Sequence, residues 1–175
     1  MQKRPNAVTF KGKGFTLIGP QLKPGDKAPD FTCVNANLEL VSLANTPARP
    51  RLFLSVPSLD TPVCSAETKK FEEALAGYKD RLACYVVSLD LPFAQKRFCT
   101  SENITNVQSL SDVHNHSFGQ NWGVLIEGLP LPLLSRAVFV VDKDGTITYA
   151  EYVPDVPQHP DYDKALAAIK TVVGA

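Results

Sequence analysis

Four cysteines, Cys33, Cys64, Cys84 and Cys99, are the residues of this sequence best able to carry out chemistry. The positive residues after Met1 lead into no apolar stretch, so we expect no secretory signal and a cytoplasmic location. In a reducing compartment structural disulfides are rare, and cysteines are usually buried hydrophobes, metal ligands or redox centres. The choice among these three roles decides the function.

Cys64 follows a segment that predicts the start of a helix, residues 57–64 (PSLDTPVC). Thr61 is a favourable N-cap, and Pro62 suits the first helical position because its missing N–H would have no partner there. Cys64 then lies in the first turn, where free N–H groups and the helix dipole favour the nucleophilic thiolate. The Thr61 hydroxyl would donate to the sulfur or to an incoming oxygen. The alternative is that Cys64 packs under the sheet as a small hydrophobe.

The other three cysteines differ in their surroundings. Cys99 ends a second short predicted helix beside Lys96 and Arg97, whose charges would help it ionise. No C-x-x-C occurs, so the short motif of thioredoxin-like reductases is missing. Cys33 and Cys84 lie in apolar strand segments, where core packing is the expected role.

Two other kinds of cysteine site remain as alternatives. A zinc site would use Cys64, Cys99, His114 and His116, although paired ligand spacing is lacking. A Cys–His hydrolase would pair Cys64 with His114, His116 or His159, without a local signature to support it.

The elements that must position these residues follow from the hydrophobic periodicity. In order, they are a β-hairpin, two strands, a helix, a strand, a helix, three strands and a closing helix. This order predicts an α/β fold with a mixed sheet flanked by helices, and places the turn at residues 57–64 where such sheets bind ligands. The length of 175 residues predicts one domain, residues 1–175, with residues 1–20 as a hairpin extension. The boundaries that we predict are strands at 31–34, 51–56, 82–89, 106–110, 136–141 and 147–153, and helices at 63–78, 93–99 and 161–173.

The charge balance restricts the partners. Basic and acidic residues number 18 each, so no positive field draws in nucleic acid or a membrane surface. No apolar stretch approaches the roughly 20 residues that a bilayer span requires. We therefore expect a small or weakly charged substrate, or a protein partner.

Two motifs carry a resemblance to a known family. Pro57-x-x-x-Thr61-x-x-Cys64 is similar to the peroxiredoxin motif Pro-x-x-x-(Thr/Ser)-x-x-Cys, and residues 57–64 and 90–99 (DLPFAQKRFC) resemble the bacterial thiol peroxidases, which are atypical 2-Cys peroxiredoxins. The similarity runs over nearly the whole chain. Ser65 follows Cys64 where many peroxiredoxins have proline, which favours the thiol peroxidases over subgroups with an intermolecular disulfide.

The resemblance assigns roles to five residues. Cys64 would be the peroxidatic cysteine, and Cys99 the resolving cysteine that forms an intrachain disulfide with it. Thr61 and Arg136 would contribute to catalysis and, together with Pro57, to substrate binding, with Pro57 shielding the site from solvent.

The resemblance also implies a fold and partners. It implies a thioredoxin-like fold with an N-terminal hairpin, a homodimer, reduction by thioredoxin, and a preference for alkyl or lipid hydroperoxides. No metal, flavin or haem is required. Because a disulfide requires Cα atoms within about 7 Å, we expect local unwinding around one or both cysteines.

Two rival functions use the same cysteines. In a redox-sensing interaction protein, the disulfide would alter a binding surface without turnover, so peroxide would be consumed only once. A thiol–disulfide oxidoreductase acting on proteins would reduce insulin without peroxide, and the missing C-x-x-C counts against it.

Overall fold

The computed structural model describes residues 1–78 and 80–174, in which eleven strands and four α-helices are found. Two sheets contain all the strands: a seven-stranded sheet in the order β11-β10-β5-β6-β7-β3-β4, and a four-stranded sheet in the order β1-β2-β8-β9. The strands are β1 (Lys3–Phe10), β2 (Lys13–Ile18), β3 (Thr32–Asn35), β4 (Leu40–Ser42), β5 (Arg51–Ser55), β6 (Ala83–Ser88), β7 (Val107–Ser111), β8 (Leu125–Glu127), β9 (Leu133–Leu134), β10 (Ala137–Val141) and β11 (Ile147–Tyr152). The helices are α1 (Pro62–Ala74), α2 (Pro92–Ser101), α3 (Ser117–Asn121) and α4 (Tyr162–Val173), with a 3-10 turn at Leu43–Asn45.

The larger sheet is mixed, as predicted. β5 pairs with β6 and β6 with β7 in parallel, whereas β10 pairs antiparallel with both β5 and β11. Every residue of β5, β6 and β10 is buried, which is typical of strands covered on both faces. The predicted α/β architecture is confirmed.

The two faces of this sheet pack against different partners. Leu52 and Leu54 of β5 point to the face covered by α1, α2 and α4, where Phe71 is one of the buried side chains. Phe53 points to the other face, into an aromatic cluster that includes Phe118 and Trp122. This alternation fixes the sheet between two hydrophobic layers.

The N-terminal hairpin is also confirmed within the predicted residues 1–20, but it is not free-standing. β1 and β2 pair antiparallel, and Thr16, Leu17 and Ile18 of β2 pair with β8. The sequence reasoning missed β4, β8, β9 and α3, which are two to five residues long. Such short elements carry too few residues for a periodic pattern.

The helix that carries Cys64 begins where it was predicted but ends earlier. α1 starts at Pro62, and it stops at Ala74 rather than continuing to Tyr78. Leu75 leaves the helical region, and residues 75–78 form turns. No helix in the described residues is long and apolar enough to cross a membrane.

Candidate active site

The segment between β5 and α1 sets the position of Cys64. Thr61 occupies the N-cap with extended backbone angles, Pro62 is the first helical residue, and Cys64 is therefore third. Its N–H belongs to the first turn, which has no intrahelical acceptors. The predicted placement of the sulfur at the positive end of a helix is confirmed.

Cys64 is fully buried, yet its sulfur has a cationic partner. Arg136 Nη1 donates to Cys64 Sγ at 3.2 Å, and the Arg136 side chain is itself buried. Arg136 directly precedes β10, the neighbour of β5, so the sheet register brings it to the start of α1. A guanidinium at this distance places a fixed positive charge directly beside the sulfur.

Arg136 contacts a second acid that the sequence analysis did not identify. Nη1 also donates to Glu67 Oε1 at 3.0 Å, and Nη2 donates to the Val156 carbonyl at 3.1 Å. Glu67 lies one turn after Cys64 on α1, and this i, i+3 spacing places both side chains on one helix face. That spacing was the signal by which Glu67 could have been found.

The pKa values of this pair reflect burial and mutual attraction. Burial raises the pKa of Glu67 to about 7, against the opposing charge and hydrogen bond of Arg136. For Arg136, burial acts to lower the pKa, but the negative charges of Cys64 and Glu67 outweigh it and raise the pKa overall. Arg136 therefore remains a buried cation shared between two acids.

Thr61 is at the predicted position but makes a different hydrogen bond. Its hydroxyl donates to the Ser58 carbonyl at 2.8 Å, not to the Cys64 sulfur. Ser58 Oγ in turn donates to Asp90 Oδ1 at 2.7 Å. The hydroxyl proton of Thr61 is thus engaged, which leaves its oxygen lone pairs as acceptors.

A cavity of about 350 Å³ adjoins this site. Pro57, Thr61 and Arg136, the three residues to which the resemblance assigns substrate binding, all contribute to its lining. The other lining residues are mostly apolar: Phe10, Ser58, Pro62, Val63, Leu133, Val156 and Pro157.

Cys99 lies on α2 and is half-buried, and all four cysteines are free thiols. Burial raises its pKa, partly offset by a hydrogen bond with Ser109. The expectation that Lys96 and Arg97 promote its ionisation is wrong for this conformation, in which Arg97 instead faces Asp60 at 3.9 Å. Cys99 contributes to a second, more open cavity of about 450 Å³.

Cys33 and Cys84 are buried, as expected of core residues. Burial raises the pKa of both thiols, and Cys33 Sγ donates to Asp112 Oδ1 at 3.6 Å. Such cysteines are poor nucleophiles.

The alternative sites find no support in the described residues. Within residues 1–78 and 80–174, no three His, Cys, Asp or Glu side chains gather in a group able to hold a metal ion. In the same ranges, Arg136 is the one side chain that hydrogen-bonds Cys64 Sγ, and His159 instead contacts the Tyr162 hydroxyl at 2.8 Å.

Comparison with known proteins agrees with this geometry. The Redoxin family model matches residues 23–166. A thiol peroxidase of Clostridium acetobutylicum is 51% identical over 161 residues, which cover 92% of this chain and 96% of the relative. The chain belongs to the thiol peroxidases of the redoxin family. It is therefore a peroxiredoxin-type peroxidase.

Other members of the family match over similar lengths. The thiol peroxidase of Bacillus subtilis is 45% identical over 166 residues, covering 95% of this chain and 98% of that one. The crystal structure of a peroxiredoxin-like protein from Aquifex aeolicus superposes with a TM-score of 0.88 at 43% identity, covering 95% of this chain and 97% of the other. The thioredoxin-like fold predicted for a thiol peroxidase is thereby confirmed.

Proposed function

We propose that this thiol peroxidase reduces hydrogen peroxide and organic hydroperoxides through Cys64, with Cys99 as the resolving cysteine and thioredoxin as the reductant. The observation that carries the proposal is the 3.2 Å contact from Arg136 to a sulfur in the first turn of α1. A helix N-terminus and a fixed cation together favour the thiolate, the form that attacks peroxides.

In the first step the Cys64 thiolate attacks the terminal oxygen of the hydroperoxide. The S–O bond forms as the O–O bond breaks, so Cys64 becomes a sulfenic acid and the alkoxide leaves and takes a proton to become the alcohol. Arg136 stabilises the negative charge on the departing oxygen, because its guanidinium stays charged and offers several donors. Thr61, whose proton is held by Ser58, accepts a hydrogen bond from the hydroperoxide O–H.

In the second step the Cys99 thiol attacks the sulfenic sulfur, which forms an intrachain disulfide and releases water. Both cysteines lie within helices as free thiols, so closure requires local unwinding. Thioredoxin then reduces the disulfide by thiol–disulfide exchange and is itself oxidised.

The apolar cavity favours hydroperoxides with an organic group. Phe10, Leu133 and Val156 line it beside Arg136, so an alkyl chain would be buried while the peroxide group meets the polar side. The homodimer and the cytoplasmic location rest on the resemblance and on the sequence alone, and they stay predictions.

The test is peroxide consumption with a thioredoxin system for wild type, Cys64→Ser and Cys99→Ser. We expect Cys64→Ser to be inactive, and Cys99→Ser to consume one equivalent of peroxide and then stop. Full turnover by Cys64→Ser would overturn the proposal. A wild type that consumes a single equivalent in the presence of reductant would favour the redox sensor instead.

A further inference from the structure

Asp90 connects the segment that precedes α2 to the segment that precedes Cys64. Its Oδ1 accepts from Ser58 Oγ at 2.7 Å, and its Oδ2 accepts from the Leu59 backbone N–H at 2.8 Å and from Ser88 Oγ at 2.7 Å. Hydrogen bonds to a carboxylate are stronger than those between neutral groups. One side chain thus fastens the beginning of the Cys99 helix to the turn that enters α1.

Glu72 makes a comparable attachment at the other end of α2. Glu72 Oε1 accepts from three consecutive backbone N–H groups, those of Thr105 at 2.9 Å, Asn106 at 2.6 Å and Val107 at 3.1 Å. The Glu72 carbonyl also accepts from Asn106 Nδ2 at 3.1 Å. Since Glu72 lies on α1, its hydrogen bonds attach α1 to residues 105–107, just after α2.

Between these two attachments, one of the polar contacts from α2 to the Cys64 segment is weak. The Arg97–Asp60 pair is separated by 3.9 Å, and its side chains are 73% and 69% exposed. Exposed ion pairs of this kind contribute little to stability. The two carboxylates therefore hold the chain on either side of residues 91–104, the segment that must rearrange, while the buried Gln95 side chain holds α2 itself to Ser88 Oγ and the Leu110 carbonyl.

We infer that Asp90 and Glu72 are positioning residues that hold the Cys99 helix in its reduced conformation, and that releasing either one speeds closure of the disulfide. The inference rests on the proposed Cys64–Cys99 chemistry. Its physical basis is that unwinding breaks these hydrogen bonds, so weakening them raises the population of the unwound form.

The experiment follows a single turnover of the full chain with one equivalent of hydrogen peroxide. Samples are quenched with an alkylating agent, and intact mass resolves the sulfenic acid from the disulfide. In Glu72→Gln we expect disulfide formation to be about tenfold faster, because the amide oxygen still accepts these hydrogen bonds but without the charge that strengthens them. The Glu72 charge also raises the pKa of Cys99, so faster hydrogen exchange of the α2 amides must accompany the faster closure. Oxidation of Cys64 should stay within about twofold of wild type, since the hydrogen bonds of Arg136 go to Cys64, Glu67 and Val156 and not to Glu72.

Asp90→Asn tests the attachment at the N-terminal end of α2 separately from the Glu72 attachment at its C-terminal end. Disulfide formation should again be faster, and Cys64 oxidation slower, because Asp90 also holds Ser58 and Leu59 before α1. Ser58→Ala removes one of these bonds and should give a smaller change, which keeps the test open if Asp90→Asn fails to fold. Glu127→Gln, which removes a carboxylate paired with Lys3 on the other sheet, should match wild type.

Unchanged or slower disulfide formation in folded Glu72→Gln and Ser58→Ala would overturn the inference. Absence of any Cys64–Cys99 disulfide in wild type would instead contradict the proposed function. In that case hydrogen exchange of the α2 amides still tests whether Glu72 holds α2. Faster exchange in Glu72→Gln than in wild type would support this role, and unchanged exchange would contradict it.

Discussion

At the scale of single residues, the site depends on the Arg136 guanidinium, which hydrogen-bonds two buried acidic groups. Arg136 Nη1 lies 3.2 Å from Cys64 Sγ and 3.0 Å from Glu67 Oε1, with all three residues almost completely buried. The second carboxylate oxygen of Glu67 has no hydrogen-bond partner among residues 1–78 and 80–174. A fully charged Glu67 would therefore be costly, and it would compete with the thiolate for the same cation.

Glu67→Gln should change the pH dependence of stability. Burial raises the pKa of Glu67 to about 7, so between its unfolded pKa of about 4.3 and pH 7 the native state binds more protons than the unfolded state. The free energy of unfolding of wild type should therefore fall as the pH rises through this window. The glutamine variant should lack this decrease in chemical denaturation series from pH 4 to 8.

The control for that series is Glu127→Gln, whose exposed carboxylate pairs with Lys3 and does not line the cavity. The free energy of unfolding of this control should fall with rising pH as it does in wild type. The same slope in Glu67→Gln would contradict the shared-cation description.

The placement of Cys64 at a helix start could be predicted from residue spacing, whereas the roles of the two cysteines and the charge network could not. Thr61, Pro62 and Cys64 have a local signature, since an N-cap and a first-turn proline are set by neighbouring residues. Arg136 is distant in sequence and reaches the sulfur only through the pairing of β10 with β5, so its selection required the family resemblance.

At the scale of elements, the segment from β5 into α1 positions Cys64, because it leads from a buried strand directly to the first turn of the helix. β5 was predicted because a short apolar run lies between Pro50 and Pro57, and α1 and α4 because their apolar residues have helical spacing. β8 and β9 were missed because three-residue and two-residue strands depend on partners distant in sequence. Tertiary pairing, not local propensity, forms these elements.

Thr61→Val should slow the reaction with peroxide while the fold is kept. Valine has nearly the same shape but lacks the hydroxyl that donates to Ser58 and that would accept from the substrate. We expect the second-order rate constant to fall about tenfold, the upper range for a neutral hydrogen bond, in stopped-flow assays. Thr61→Ser should stay within about threefold of wild type, and a valine variant equal to wild type would remove Thr61 from the mechanism.

At the scale of the whole molecule, the two sheets together enclose the cavity. Phe10 ends β1 in the four-stranded sheet, whereas Arg136 precedes β10 in the seven-stranded sheet, and both line the same space. The sequence predicted the hairpin but not its pairing with β8, so this function of the hairpin could not be foreseen. That residues 1–175 form one domain stays a prediction.

Phe10→Ala should separate organic from inorganic peroxides. Removing the ring takes away apolar surface from the proposed alkyl site, so the second-order rate constant for cumene hydroperoxide should fall about tenfold, as expected when a partly buried aromatic side chain no longer contacts the substrate. The rate with hydrogen peroxide should stay within about twofold. Phe15→Ala, on the same hairpin but not among the residues that line the cavity, is the matched control. Equal losses for both peroxides would contradict an alkyl site here.

The most direct test of the whole account is intact-mass analysis after one equivalent of hydroperoxide, without reductant. For wild type we expect the loss of two hydrogens and, after proteolysis under non-reducing conditions, a Cys64–Cys99 peptide pair. Cys99→Ser should instead gain one oxygen at Cys64. An oxidised wild type with Cys64 still free, or with a disulfide that involves Cys33 or Cys84, would contradict the account.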